Sequence, residues 1–184
     1  MRLLTAVNTI LRKLGEIEVP SLDEPYPTIP LALAALDEAR TNVLKEGWWF
    51  NTSHKWEATP TPDGIVELPG NTLMFYPEDP QFVFEGQFIV RADNHDSMVA
   101  KPVLGKLVMD KEFERLPYTA AMAVTYTAAF ETYTADIGPD KTSEAIAASL
   151  QGYLMTLSAE HTRSRKQNTT RKTSFQRWKR RLIT

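Results

Sequence analysis

Apolar positions recur at helical spacing towards both ends of the chain and at strand spacing through its middle. Leu4, Val7, Leu11 and Leu14 fall at i, i+3, i+7 and i+10, a stripe that predicts a short helix stopping at Gly15. The acidic, proline-rich "EIEVPSLDEPYP" that follows reads as an ordered loop. A second helix starts near Thr28, with Pro30 tolerated in its first turn, and ends at Gly47. Its buried face is expected to be Ile29, Leu33, Leu36, Val43 and Leu44. From Trp48 to about Met109 the period shortens, and six prolines and four glycines interrupt the β-rich runs "WWFNTSHKW", "GIVELP", "TLMFY", "FVFEGQFIV" and "KPVLGKLVM". In "FVFEGQFIV", two apolar triplets flank a glycine-bearing turn, the pattern of a hairpin.

Helical spacing returns at Leu116. Ala120, Ala123, Thr127, Phe130, Thr134 and Ile137 form one stripe, and Met122, Tyr126, Ala129 and Tyr133 form another beside it, so this helix is expected to pack on more than one side. "IGPD" marks a stop and restart, with Gly138 as C-cap and Asp140 as N-cap. The last helix turns Ile146, Leu150, Tyr153 and Leu157 inward and runs to about Asn168. The pattern thus predicts an α+β chain. A four-helix bundle (1–47 and 111–168) carries an antiparallel β unit (48–110) inserted between helices 2 and 3, and an extended basic C-terminal tail (169–184) follows.

Composition changes this picture in two places. The chain lacks cysteine, so no disulfide framework is possible, which fits an intracellular origin without proving one. The N-terminal run is broken by Thr5, Asn8 and Thr9 and reads as a mature amphipathic helix, not a signal peptide. "LPYTAAMAVTYTAAF" is too short and too rich in threonine to cross a bilayer, so a soluble protein with no membrane partner is expected. The net charge of −2 conceals an asymmetry: from Arg163 onward there are nine basic residues and no acidic one, whereas the preceding residues carry 12 basic against 23 acidic, a net of −11. An acidic body with a basic end suggests that the end has its own partner.

Candidate chemistry is sparse. His54, His95 and His161 lie far apart, and none has the i, i+4 partner of a helical metal pair. "RADNHDS" lacks both the alternation and the glycine of a calcium loop and reads as a polar turn. Neither G-x-S-x-G nor a phosphate-cradling glycine loop occurs. Carboxylate pairs such as Glu78 with Asp79, or Glu112 with Glu114, carry little meaning in a chain with 23 acidic residues. The expectation is a non-enzyme with no cofactor and no metal.

The aromatic clusters are more informative. "EGWWFNTSHKW" holds three of the four tryptophans, Trp48, Trp49 and Trp56. A nucleic-acid platform would interleave them with cations, and the mixed charges of Glu46, Lys55 and Glu57 favour a hydrophobic joint instead. In the tail, Arg171, Lys172, Arg177, Lys179, Arg180 and Arg181 are interleaved with Phe175, Trp178, Leu182 and Ile183. A purely solubilising tail would not need four large apolar groups, which suit a docking groove or a ledge beside phosphates. Its 16 residues reach on the order of 50 Å when extended, enough to cross a neighbouring subunit.

The order of elements, with "EGWWFN" after helix two, "FVFEGQFIV" in the insertion and "FERLPYTAAMAVTYTAAFETY" opening helix three, resembles the tail tubular protein A family of short-tailed bacteriophages. The likeness runs from "LTAVNTILRKLGE" to "SAEHTRSRKQNT". These proteins are head-to-tail adaptors, and the resemblance implies a virion protein made in the bacterial cytoplasm. It also implies a dodecameric ring of copies joining the portal protein to the tail nozzle protein, with DNA passing through the channel during genome ejection without sequence-specific binding. In family terms the bundle builds the ring and the β unit faces neighbours or the distal tail. Carried onto this chain, Trp48, Trp49, Phe50 and Asn51 are the structural joint, Phe113 and Pro117 set the start of helix three, and Arg171 to Thr184 is the portal clasp. An acidic body suits the lumen of such a ring, because like charge keeps DNA sliding. The alternatives are a DNA-binding protein acting through the basic aromatic tail and a tail-associated glycan hydrolase.

Overall fold

The computed structural model describes residues 1–170, with side chains to residue 165. Among the described residues the chain is α+β, with four α-helices and two three-stranded antiparallel sheets. The helices are α1 (Leu3–Lys13), α2 (Thr28–Lys45), α3 (Tyr118–Asp136) and α4 (Lys141–Thr170). The strands are β1 (Thr52–Ala58), β2 (Val66–Glu67), β3 (Thr72–Pro77), β4 (Phe82–Glu85), β5 (Phe88–Arg91) and β6 (Val103–Met109). Two compact units result: residues 1–39 with the described residues from 116 onward, and residues 40–115.

In the helical unit, α1 ends in a Schellman motif. Gly15 takes φ +80° and its N–H donates to Arg12 O, while the Glu16 N–H donates to Leu11 O at 2.9 Å. The loop that follows is tied back to α1 by Asn8, whose amide donates to Val19 O and accepts from Val19 N, both at 2.9 Å. This two-point pairing orders the proline-rich segment. The buried face of α1 is Ala6, Val7, Ile10 and Leu11, so the expected stripe holds at Val7 and Leu11, while Leu4 and Leu14 are only half-buried and Ala6 and Ile10 take their place. On α2 the face is Ile29, Ala32, Leu36 and Ala39, with alanines where Leu33 was expected.

Helix α3 packs against both α1 and α4. Its buried positions, Ala120, Ala121, Ala123, Val124, Thr125, Ala128, Ala129 and Tyr133, surround most of the helix. Small side chains allow that close approach from two sides. The expected stripe is corrected at its end, where Ile137 is exposed beyond the last turn. Asp140 caps α4: its Oδ1 accepts the Thr142 and Ser143 N–H groups at 2.8 Å, while Ser143 Oγ accepts the Asp140 N–H at 2.9 Å. Tyr133 donates its hydroxyl to Asp140 Oδ2 at 2.9 Å, tying the end of α3 to the start of α4. These amides, the Ser143 N–H foremost, hold the Asp140 carboxyl below its ordinary pKa against an opposing contribution from burial.

In the second unit the single β unit resolves into two sheets, ordered β1-β6-β3 and β2-β5-β4. The hairpin expected around Gly86 joins β4 to β5, with Glu85 opposite Phe88 and Gly86 at φ +63°, as a two-residue turn that turns on its first residue requires. "RADNHDS" forms the expected polar turn, stabilised by an Arg91 N–H to Asp96 O bond and a two-point Arg91–Asp93 contact. The core is Ala58, Val66, Leu68, Phe75, Ile89, Val99, Val103 and Leu107, covered by Trp56, Phe82, Phe84 and Met109. Gly105, in the middle of the central strand β6, lies against the Phe75 ring with the Tyr76 carbonyl close by; a Cβ there would stand 2.6 Å from that oxygen.

Candidate functional site

The segment between α2 and β1 is organised by one fully buried polar residue. Gly47, at φ +78°, reverses the chain after α2 and brings Asn51 back beneath the end of that helix. The Asn51 side chain accepts the Trp48 N–H at 2.8 Å and donates to the Leu44 carbonyl at 3.0 Å and the Met109 carbonyl at 2.9 Å. Its backbone carbonyl accepts the Met109 N–H at 2.9 Å. One amide therefore serves a helix C-terminal carbonyl, which also accepts the Gly47 N–H at 3.1 Å, together with a turn N–H and the end of β6. A side chain with both a donor pair and an acceptor is required, which only Asn and Gln supply, and Asn has the shorter reach.

The aromatic neighbours complete this junction. Trp48 donates its indole N–H to Val43 O at 2.7 Å, and Trp49 meets Phe50 edge-on with ring centroids 5.0 Å apart. Trp56, further along β1, packs on the core of the sheets. All three tryptophans are half-buried. The structure thus brings together Trp48, Trp49, Phe50 and Asn51 within one turn. Sequence reasoning missed two further features of this unit: Arg40, paired with Asp110 at 3.0 Å, and Gly105, set against Phe75 in the sheet. A glycine inside a strand was the available signal for the second. The Arg40–Asp110 pair spans 70 residues and left no local trace.

The remaining polar candidates stand apart. His54 lies on β1, His95 in the turn after β5 and His161 on α4, and among the described residues no three His, Asp or Glu side chains converge to hold a metal ion. Glu78 and Asp79 line an open cavity of about 490 Å³ with Gln81, Phe82 and Lys101. Glu112 pairs with Arg115 at 3.0 Å in an exposed contact. Among the described residues no helix is long and apolar enough to cross a membrane. The clasp residues Arg171, Lys172, Phe175, Arg177, Trp178, Lys179, Arg180, Arg181, Leu182 and Ile183 lie outside the described residues.

Residues of both units fall inside a single known sequence family. The family model described as tail tubular protein matches residues 4–167. The chain belongs to the tail tubular protein family. It is 33% identical over 179 residues to tail tubular protein A of Klebsiella phage KP34, a match covering 96% of this chain and 95% of that one. Membership makes it a structural protein of a phage tail. Within this tail tubular protein the Asn51 junction lies well inside the matched region.

Proposed function

We propose that the protein is the head-to-tail adaptor of a phage virion, a ring of copies standing between portal and tail nozzle around the path of the genome. Its near end-to-end likeness to tail tubular protein A carries this reading. The helical unit, read as a four-helix bundle with the sheets inserted between helices 2 and 3, forms the ring. The basic tail from Arg171 to Thr184 reaches the portal. The excess of carboxylates over the preceding residues supports a lumen that repels DNA, where a cationic wall would bind it by releasing counterions. Work of this kind is done by heterologous cyclic interfaces and needs no reactive pocket.

The test is electron microscopy of the protein alone and mixed with portal, alongside a salt titration against duplex DNA. Rings seated on portal, with weak DNA binding, are expected. Tight, salt-steep DNA binding with no portal attachment would replace the adaptor by a DNA-binding protein that acts through its tail.

A further inference from the structure

One groove on the helical unit has a chemistry that the fold does not use. It is an opening of about 420 Å³ among the ends of α1, α2 and α3, floored by Leu14, Leu31, Thr132 and Ala135 and edged by Glu16 and Asp136. Leu31 is 64% exposed, and Ile17 and Ile137, next in sequence to the two acids, are 82% and 51% exposed. Glu16 Oε1 accepts the Thr28 hydroxyl at 3.0 Å, while Oε2, sheltered from water, accepts no hydrogen bond of standard geometry, its neighbour being the Tyr26 phenol.

Negative charge continues along the seam between α2 and α3. Glu131 is held above its ordinary pKa, first by burial and then by the charge of Glu38. Among the described residues no Lys or Arg forms an ion pair with Glu16, Glu38, Glu131 or Asp136. An apolar floor edged by two carboxylates without a cationic partner, with Glu38 and Glu131 on the adjoining seam, fits a ligand with large apolar groups interleaved with cations. The chain itself contains one such segment, Arg171 to Thr184, with six Lys or Arg, Phe175, Trp178, Leu182, Ile183 and no acid.

We infer that the groove is the seat of the C-terminal tail of a second copy of this chain. Reach decides between a copy's own groove and a neighbour's. The Thr119–Glu160 and Tyr133–Asp140 hydrogen bonds show α4 running antiparallel to α3, so the groove, at the α3 C-terminus, lies level with the start of α4. Helix α4 spans 30 residues, about 45 Å, and the tail leaves from its far end. At about 3.6 Å per extended residue, Phe175 reaches back roughly 18 Å and Trp178 roughly 29 Å, both short of their own groove, and only Leu182 and Ile183, at roughly 43 and 47 Å, could come level with it, so the segment as a whole cannot seat there. A neighbouring copy removes that restriction. The inference rests on the reading that copies stand side by side, and it concerns the protein without portal.

The absence of cysteine makes disulfide trapping clean. Two full-length variants, Ala135→Cys at the exposed part of the groove floor and Ser174→Cys in the tail, are mixed under mild oxidation without portal. Cross-linked dimers at least tenfold above those from an Ala159→Cys and Ser174→Cys mixture are expected. Adding Asp136→Lys to the groove variant, or raising the salt to 1 M, should cut the yield several-fold. Equal yields at groove and control positions overturn the inference, as does closure of the Ala135→Cys/Ser174→Cys double variant into monomers on dilution. Rings that seat on portal but never show the groove cross-link remove the seat and leave the adaptor reading intact.

Discussion

Replacing Asn51 by leucine removes three hydrogen bonds from a fully buried position while nearly conserving volume. The Trp48 N–H and the Leu44 and Met109 carbonyls lose the partners they hold at 2.8, 3.0 and 2.9 Å. The Leu44 carbonyl keeps the Gly47 N–H at 3.1 Å, so two backbone groups are left without a partner at about 1 to 3 kcal/mol each, roughly 2 to 6 kcal/mol together. That is a large part of the total stability of about 5 to 15 kcal/mol usual for a domain. Urea unfolding followed by tryptophan emission is the direct assay, since Trp48, Trp49 and Trp56 all lie in the unit built from residues 40–115. Far-UV circular dichroism, dominated by the helices, should show a separate and less affected transition. Asn51→Asp supplies an internal check. It keeps the acceptor for Trp48 but turns a carboxylate towards two carbonyls, which raises the folded-state pKa of the new side chain. Its deficit should therefore be greatest above that raised pKa and shrink as the pH falls towards about 4, the unfolded value. A loss below about 1.5 kcal/mol for Asn51→Leu, or an Asn51→Asp variant indifferent to pH, would refute the account of the junction.

Two glycines should respond in opposite directions. Gly105→Ala drives a methyl group against the Phe75 ring and the Tyr76 carbonyl and should cost about 2 to 3 kcal/mol in urea unfolding. Gly152→Ala, in the interior of α4 with open space at its Cβ, should stabilise the helices by about 1 kcal/mol, read as a higher midpoint by circular dichroism. The cap on α4 is pH-dependent: the depressed Asp140 pKa means its contribution is present above the unfolded value and is lost as the pH falls through the folded one. The protection of the Thr142 and Ser143 amides, measured relative to their intrinsic exchange rates, should fall on acidification below about pH 4; Asp140→Asn, which keeps the acceptor, should flatten that dependence. Truncation after Asn168 should leave circular dichroism of the body unchanged while impairing attachment to portal in a pull-down; unchanged attachment would count against the clasp.

Features set by neighbouring residues were legible in the sequence. Gly15, Gly47, Gly86, Gly138 and Asp140 end, turn or begin elements where their chemistry said they would, because caps and tight turns are decided within a few residues. Helix faces were less legible where alanine does the packing. Ala32 and Ala39 on α2, and most of the buried surface of α3, carry little hydrophobic contrast with their exposed neighbours, so periodicity pointed to Leu33 and Ile137 instead. The pairing of β1 with β6 depends on residues about 50 positions apart and had no local signature. Asn51 was marked as a joint residue by the family resemblance, with no sign of its burial in the spacing; that burial follows from what α2 and β6 place around it. The groove joins Glu16 to Asp136 across the length of the chain, beyond what spacing can show.

The strand order has a consequence for biosynthesis. In the first sheet the middle position belongs to β6, the last strand among the described residues, and in the second it belongs to β5, which follows both of its partners. During translation β1 and β3 therefore emerge with nothing between them, and the sheet closes only after Met109 has left the ribosome. A stalled or truncated nascent chain ending before Val103 would present two open strand edges to other chains, so this half of the protein depends on synthesis running through to its central strand.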